Sequence, residues 1–381
     1  MASASPRELL GEGLAALKRG DARAAIKALE AACELTAPGE MPWIALANAH
    51  LSLQHHEAAE RAIDRQLLED RREIGALFFK AWLREHAGDT RAAVSFYTTA
   101  LAQAEAMGGV PRGLETLRDH GRRYLASAPD LFARHLDDAL AGAAALSPTM
   151  TEAVEMLRGE RQLYLPNPSV FYYPGLAPRR FFDPAEFPWL APMLALVPAM
   201  QAELTAVLDA GATGFDPYVR RTPNRPAPAN PLLDSPAWTA FHFWKDGAVI
   251  EANAARCPAT MRALAHAPMP RIDGRSPNAH WSRLTPGAHI EPHVGMLNCR
   301  LICHIPILTA PDCTLRVGSE TRTWVDGLPL IFDDSIEHEA RNAGPQERVV
   351  LLFEIWRPEI PEEDRTVIAR IFQAIGSYSE G

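Results

Sequence analysis

Two histidines in the C-terminal third of the chain stand where metal chemistry is possible. His293 lies in His293-Val294-Gly295, and His338 in Phe332-Asp333-Asp334-Ser335-Ile336-Glu337-His338-Glu339, both in a stretch that reads as β-strands. Arg348 follows His338 by ten residues and opens the apolar run Val349-Val350-Leu351-Leu352-Phe353. Neutral imidazole is a good ligand for Fe(II), and two imidazoles leave coordination positions open. A guanidinium on a nearby strand suits a carboxylate held by paired hydrogen bonds. Together these are the parts of a non-haem iron oxygenase with 2-oxoglutarate as cosubstrate and dioxygen as oxidant. The usual third ligand, a carboxylate two residues after the first histidine, is replaced here by Gly295.

Other readings of these residues stand beside that one. His289, four residues before His293, would share a strand face with it, although Pro286 and Pro292 interrupt regular spacing. Arg348 at the head of a buried-looking strand needs an anion, either a cosubstrate or an internal Asp or Glu. Asp333, Asp334 and Glu337 flank His338 as candidates to orient an imidazole, or equally to cap a turn. Cys299 and Cys303 are a possible metal pair, but in Cys299-Arg300-Leu301-Ile302-Cys303 they read better as small apolar fillers on one strand face. His242, His280 and His304 read as hydrogen-bonded core residues, and His55-His56 as part of a solvated turn.

The chain resembles the aspartyl/asparaginyl β-hydroxylase family from about Tyr164 to Arg365, most densely from Trp281 to Pro358. The matching stretches, in order, are Trp238 to Gly247, Pro286 to Gly295, Asn298 to Leu301, and Ile331 to Glu339. The resemblance implies a double-stranded β-helix with both histidines at its mouth as metal ligands. It also implies a glycine in place of the carboxylate ligand, which Gly295 satisfies. By the same resemblance Ser282 bonds the far carboxylate of 2-oxoglutarate with Arg348, His304 lies near the metal-side carboxylate, and Trp238 lines the pocket. One position departs: where animal members have an arginine two residues before the histidine at 304, this chain has Ile302. Arg300 shares that parity only on a regular strand. The implied reaction is hydroxylation of an unactivated carbon, the β-carbon of Asp or Asn in a peptide or protein, with Arg283, Arg316, Arg322 and Arg341 as candidate anchors for a substrate carboxylate. A halogenase, a small-molecule hydroxylase, a non-catalytic cupin and a repeat-based binding module with a degenerate β-domain are the alternatives.

The elements that position these residues follow from punctuation and period. From Ala279 onward, short runs rich in β-branched and aromatic residues alternate with turn signals, giving candidate strands at 279–284, 288–292, 299–308, 313–317, 321–325, 329–332 and 348–356. Upstream, Met193 to Leu208 reads as a helix that Pro198 kinks or begins. Thr222 to Ser235, rich in proline and asparagine, reads as a loop, either a plain connector or a lid. Leu114 to Leu125 and Leu131 to Leu146 carry helical spacing.

The front of the chain repeats. Gly20-Asp21-Ala22-Arg23-Ala24-Ala25, Gln54 to Ala59, and Gly88 to Ala93 stand 34 residues apart, as do Leu9, Trp43 and Leu77, then Gly13, Ala47 and Ala81, and finally Leu29, Ile63 and Tyr97. This is the period and pattern of tetratricopeptide-like helical hairpins, whose concave face binds peptides or proteins, or which merely cap a neighbouring domain. The expected organisation is a multidomain α + β chain. A repeat solenoid occupies 1–105, a helical extension 106–165, a double-stranded β-helix (cupin-like jelly-roll) 166–365 and a tail 366–381.

Composition bounds the partners. The 381 residues carry a net charge of -9 without a long basic run, which argues against nucleic acid. Met1 to Glu12 lacks a secretory pattern, and no run approaches the ~20 apolar residues of a membrane helix. Five scattered cysteines favour a reducing, cytoplasmic setting. Oligomeric state leaves no signal.

Overall fold

The computed structural model describes residues 5–379 apart from 38, 144, 222–225 and 228. They divide into two compact units, Met1–Arg158 and Gly159–Gly381. The division falls inside the stretch expected as an extension, so most of that stretch goes with the repeats.

The described residues of the first unit are helical: α1 (Pro6–Lys18), α2 (Ala22–Cys33), α3 (Trp43–Ser52), α4 (His56–Glu69), α5 (Ile74–His86), α6 (Thr90–Ala106), α7 (Glu115–Leu140) and α8 (Pro148–Leu157). The repeat explains their pairing. Asp21 and Asp89 cap the second helix of their hairpins by accepting from Ala24 N and Ala92 N, both at 3.0 Å. The residues before them turn the chain through left-handed backbone: Gly20, Gln54 and Gly88 have φ of 79°, 61° and 75°. Gly13, Ala47 and Ala81 sit where the paired helices touch; a Cβ at Gly13 would stand 2.6 Å from Leu29 Cγ. Leu29, Ile63 and Tyr97 are fully buried between them. One expectation fails. Two helices were anticipated around Pro129, yet α7 runs through it as one helix. A proline removes a single backbone donor, and in a helix whose buried residues are limited to Gly121 this does not break the chain.

The second unit holds β1 (Phe181–Phe182), α9 (Leu190–Leu194), α10 (Val197–Asp209), β2 (Asp216–Pro217), β3 (Trp238–Lys245), β4 (Ala248–Val249), α11 (Glu251–Ala254) and α12 (Pro258–Leu264). There follow β5 (Ala279–Leu284), β6 (His289–His293), β7 (Arg300–Leu308), β8 (Cys313–Val317), β9 (Glu320–Thr323), β10 (Leu330–Phe332), β11 (His338–Asn342), β12 (Arg348–Trp356) and α13 (Glu362–Ser379). An eight-stranded antiparallel sheet runs β1-β10-β7-β12-β5-β3-β2, with β4 on β3, and a four-stranded sheet runs β6-β11-β8-β9. One face of the larger sheet packs Phe241, Trp281, Ile305 and Phe353 on the helices that carry Met193, Met200 and Leu264. The other face packs Ile302, Phe332 and Val350 on Ile290, Leu315 and Ala340 of the smaller sheet. Buried on both sides, β7 and β12 are apolar along nearly their whole length rather than alternating.

The candidate strands from 279 onward are present within a residue or two. β11 and β3 were not among them: His338–Asn342 is polar, and the strand reading began only at 279. Pro198 stands in the first turn of α10, so the expected 193–208 helix is two helices, α9 and α10. Residues 366–379 of the stretch expected as a C-terminal tail lie in α13, which buries Ile368 and Phe372 against Leu297 and Ile360. Part of the 222–235 loop falls outside the described residues.

Candidate active site

His293 ends β6 and His338 begins β11, and the two strands pair so that these residues are directly opposed. Their ring centroids are 4.2 Å apart. His293 Nδ1 lies 2.8 Å from the Glu291 carbonyl oxygen and His338 Nδ1 lies 3.0 Å from that of Ile336. A carbonyl only accepts, so each Nδ1 carries a proton and donates, which in a neutral ring leaves the lone pair on Nε2. Burial, reinforced by the adjacent His293 ring, pushes the His338 pKa down to about 3, which keeps that ring neutral. His289 takes no part: its Nε2 is 2.7 Å from Glu339 Oε2, which closes the alternative pairing.

The histidine pair lines a cavity of about 470 Å³ that also contains Trp238, Ser282, Gly295, Arg300, Ile302, His304, Asp334 and Arg348. All six site residues expected from the sequence therefore meet there. Arg348, at the start of β12, is 1% exposed. It donates to the Ser282 carbonyl at 3.1 Å and to Ser282 Oγ at 3.4 Å, while its Nε has no partner. Among the described residues no carboxylate pairs with it, and burial lowers its pKa. Trp238 Nε1 donates to Ser282 Oγ at 3.1 Å and fixes that hydroxyl.

Trp324, which the sequence reading passed over, supports both polar ends. Its ring lies 4.5 Å beneath the Arg348 guanidinium, and its Nε1 donates to His304 Nδ1 at 3.3 Å. Indole N–H only donates, so His304 carries its proton on Nε2, a buried donor with no partner. Burial holds the His304 pKa well below the usual value, so this ring too is neutral. The signal for Trp324 was an isolated aromatic in a polar strand stretch, which alone does not name a role.

Gly295 is tied to Asp334. A Cβ on residue 295 would overlap the Asp334 carboxylate, and Gly295 N–H donates to the Asp334 carbonyl oxygen at 2.6 Å. Asp334 is 5% exposed, its Oδ1 has no partner, and burial raises its pKa against the opposing charge of Arg300. The carboxylates near His338 pair with arginines rather than with either imidazole. Asp333 pairs with Arg357 at 2.8 Å, Asp334 with Arg300 at 3.3 Å and Glu337 with Arg316 at 2.9 Å.

β7 pairs in regular register with β12 from Arg300 to Pro306, so Arg300 and Ile302 both face the cavity, as their parity required. Arg283, Arg316, Arg322 and Arg341 do not line it; the first three pair with Glu347, with Glu337 and Glu339, and with Glu320. Cys299 and Cys303 are free, buried and in separate apolar clusters.

Residues 197–358 match the sequence model of the aspartyl/asparaginyl β-hydroxylase family. The resemblance to that family holds. The human aspartyl/asparaginyl β-hydroxylase is 32% identical over 37% of this chain and 18% of its own length. Aspartate β-hydroxylase domain-containing protein 2 of Xenopus tropicalis is 34% identical over 35% of this chain and 37% of its own. Aspartate β-hydroxylase domain-containing protein 1 of the mouse is 32% identical over 46% and 49%. The chain thus spans less than half of each of these relatives. Among solved structures, PcrH from Pseudomonas aeruginosa is similar at 23% identity, covering 34% of this chain and 94% of its own, with a TM-score of 0.29. The Sgt2 tetratricopeptide domain from Aspergillus fumigatus is similar at 21% identity over 37% and 85%, with a TM-score of 0.28.

Proposed function

We propose that this protein is an Fe(II)- and 2-oxoglutarate-dependent hydroxylase of an Asp or Asn β-carbon in a peptide or protein. The observation that carries the reading is one cavity holding two directly opposed histidines together with a buried guanidinium that has no carboxylate partner among the described residues. The strand order supports it too. Counting from β5, the larger sheet takes strands one, eight, three and six and the smaller takes two, seven, four and five, the interleaving of a double-stranded β-helix.

The residues fit the groups the reading requires. Nε2 of His293 and of His338 would hold the metal, and the unpartnered Arg348 Nε, with Ser282 Oγ beside it, would take the far carboxylate of 2-oxoglutarate. His304 offers its Nε2–H as a further donor. When bound, iron and cosubstrate supply the oxidising chemistry: 2-oxoglutarate, dioxygen and a C–H bond become succinate, carbon dioxide and an alcohol. The protein's part is positional. Trp238 and Trp324 hold the Ser282 hydroxyl and the His304 tautomer, and Phe332, with ring centroids 5.1 Å from His304 and 5.5 Å from His338, separates the two rings with an apolar wall. Asp334 supplies a carboxylate beside the histidines that Gly295 does not, without forming a three-ligand cluster with them.

The helical repeats are read as a recruitment module for the polypeptide substrate, and the free cysteines as fitting a reducing, cytoplasmic setting. The test is binding. Mn(II), as an inert stand-in for Fe(II), should bind one per chain and lose affinity in His293→Ala and His338→Ala, and 2-oxoglutarate should bind only the metal-loaded protein. Unchanged metal binding in both variants contradicts the assignment.

A further inference from the structure

The hydroxylase reading leaves open what charge the target side chain carries, and the cavity cations bear on this. Among the described residues two arginines line the cavity, Arg348 and Arg300. The first is assigned above to the cosubstrate. The second is already committed. Its Nη1 donates to Glu354 Oε2 and its Nη2 to Asp334 Oδ2, 3.3 Å away. Glu354 is 2% exposed and is itself fixed by Asn278 N–H at 3.1 Å. Turning the Arg300 guanidinium toward a ligand would strip two buried carboxylates of their cation, a cost far above that of an exposed pair. One guanidinium against two carboxylates leaves no surplus positive charge, whichever protonation state Asp334 adopts.

Among the described residues, the remaining groups on this side do not supply one. Ile302 occupies the Arg300 face of β7 with an aliphatic side chain. The Tyr218 hydroxyl and the Asn230 amide, also lining the cavity, are neutral and offer hydrogen bonds without charge. Glu291, at the same cavity, is acidic. An incoming carboxylate would meet acids and a guanidinium that is already neutralised, whereas an amide would meet donors and acceptors it can satisfy.

We propose that the side chain this cavity presents to the histidine pair is uncharged, an asparaginyl-type amide rather than an aspartyl carboxylate. The inference rests on the hydroxylase reading. It assigns Arg300, Glu354 and Asp334 together as the specificity-determining group, with Glu354 acting through Arg300.

The experiment uses the full chain with Fe(II) and 2-oxoglutarate and two peptide pools of identical degenerate flanks, one centred on Asn and one on Asp. Addition of one oxygen to the central residue is read by mass spectrometry, with succinate measured in the same tubes. The Asn pool is expected to be hydroxylated at least about tenfold faster, the discrimination that repulsion and unpaired desolvation produce together. Glu354→Gln releases one partner of Arg300 and should narrow that ratio toward Asp, a change in preference that simple loss of folding does not mimic. Equal or faster hydroxylation of the Asp pool overturns the inference. So does succinate formation without product from either pool. Absence of succinate as well as product sinks the hydroxylase reading itself and the inference with it. If Glu354→Gln does not fold, the wild-type ratio still decides.

Discussion

Gly295 and Asp334 share one small space: any side chain on residue 295 would run into the Asp334 carboxylate, and the two residues are joined by a 2.6 Å hydrogen bond from Gly295 N–H to the Asp334 carbonyl. The position where a third metal ligand would ordinarily grow is therefore filled by another acid, reached from a different loop. The glycine is required by that neighbour.

Gly295→Asp accordingly should not build a working three-ligand site. The introduced side chain has to displace Asp334 and disturb its pairing with Arg300, costing ~1–3 kcal/mol as overpacking does. Melting temperature and Mn(II) affinity should both fall. Removing the obstruction with Asp334→Gly in the same chain should recover part of the metal affinity. A single Gly295→Asp variant that melts normally and binds metal more tightly would refute this account of the glycine.

Arg348→Met should abolish most 2-oxoglutarate binding while sparing the metal. Truncating one partner of a buried charge pair costs roughly 2–5 kcal/mol, so affinity should drop about thirtyfold or more. Arg348→Lys should recover little, because a point charge cannot match the paired geometry of guanidinium and carboxylate. Calorimetric titration of 2-oxoglutarate into Mn(II)-loaded protein separates the two effects. Equal affinity in wild type and Arg348→Met would remove Arg348 from the site.

Much of this was legible in the sequence, because strands buried on one or both faces betray themselves by short apolar runs between turn signals, and because a 34-residue repeat advertises its own helix pairs. His293, His338, Arg348, Ser282, His304 and Trp238 all reach one cavity. The rest depends on pairings between residues far apart in the chain. The direct opposition of His293 and His338 is set by the β6–β11 register, the Arg300–Glu354 pair joins β7 to β12, and Trp324 reaches His304 across twenty residues. Polar β11 hid as a strand because its inward-facing His338 and Asn342 are polar, so the apolar alternation that marks a strand is missing.

Acid should loosen the fold through its buried neutral histidines. Burial pushes the His242 pKa down to about 4 from an ordinary 6.5, and holds His280 well below that value. Between those limits the unfolded chain binds the proton and the folded one does not, so the stability is complete above about 6.5 and is lost as pH falls toward 4. Asp333, raised to about 6 by burial, works in the opposite sense, since its folded carboxyl takes up its proton first. Comparing variants cancels that term. His242→Gln should lose less melting temperature than wild type between pH 7 and 5. An equal or larger loss would show that His242 is not the group responsible.

In the repeat unit, Gln54 stands at φ 61° where its counterparts Gly20 and Gly88 are glycines. A side chain in that region costs on the order of 1 kcal/mol, so Gln54→Gly should leave stability unchanged or raise it by up to about that amount. Gly20→Ala, at φ 79°, should lower it. Chemical denaturation of the two variants checks the equivalence of the hairpin turns, and destabilisation by Gln54→Gly would contradict it.

The most direct test of the central claim is succinate formation from 2-oxoglutarate under air with added Fe(II), comparing wild type with His338→Ala. The account predicts succinate from the wild type and essentially none from a folded His338→Ala. Equal rates from both proteins, or no succinate from a folded, iron-loaded wild type, would contradict it.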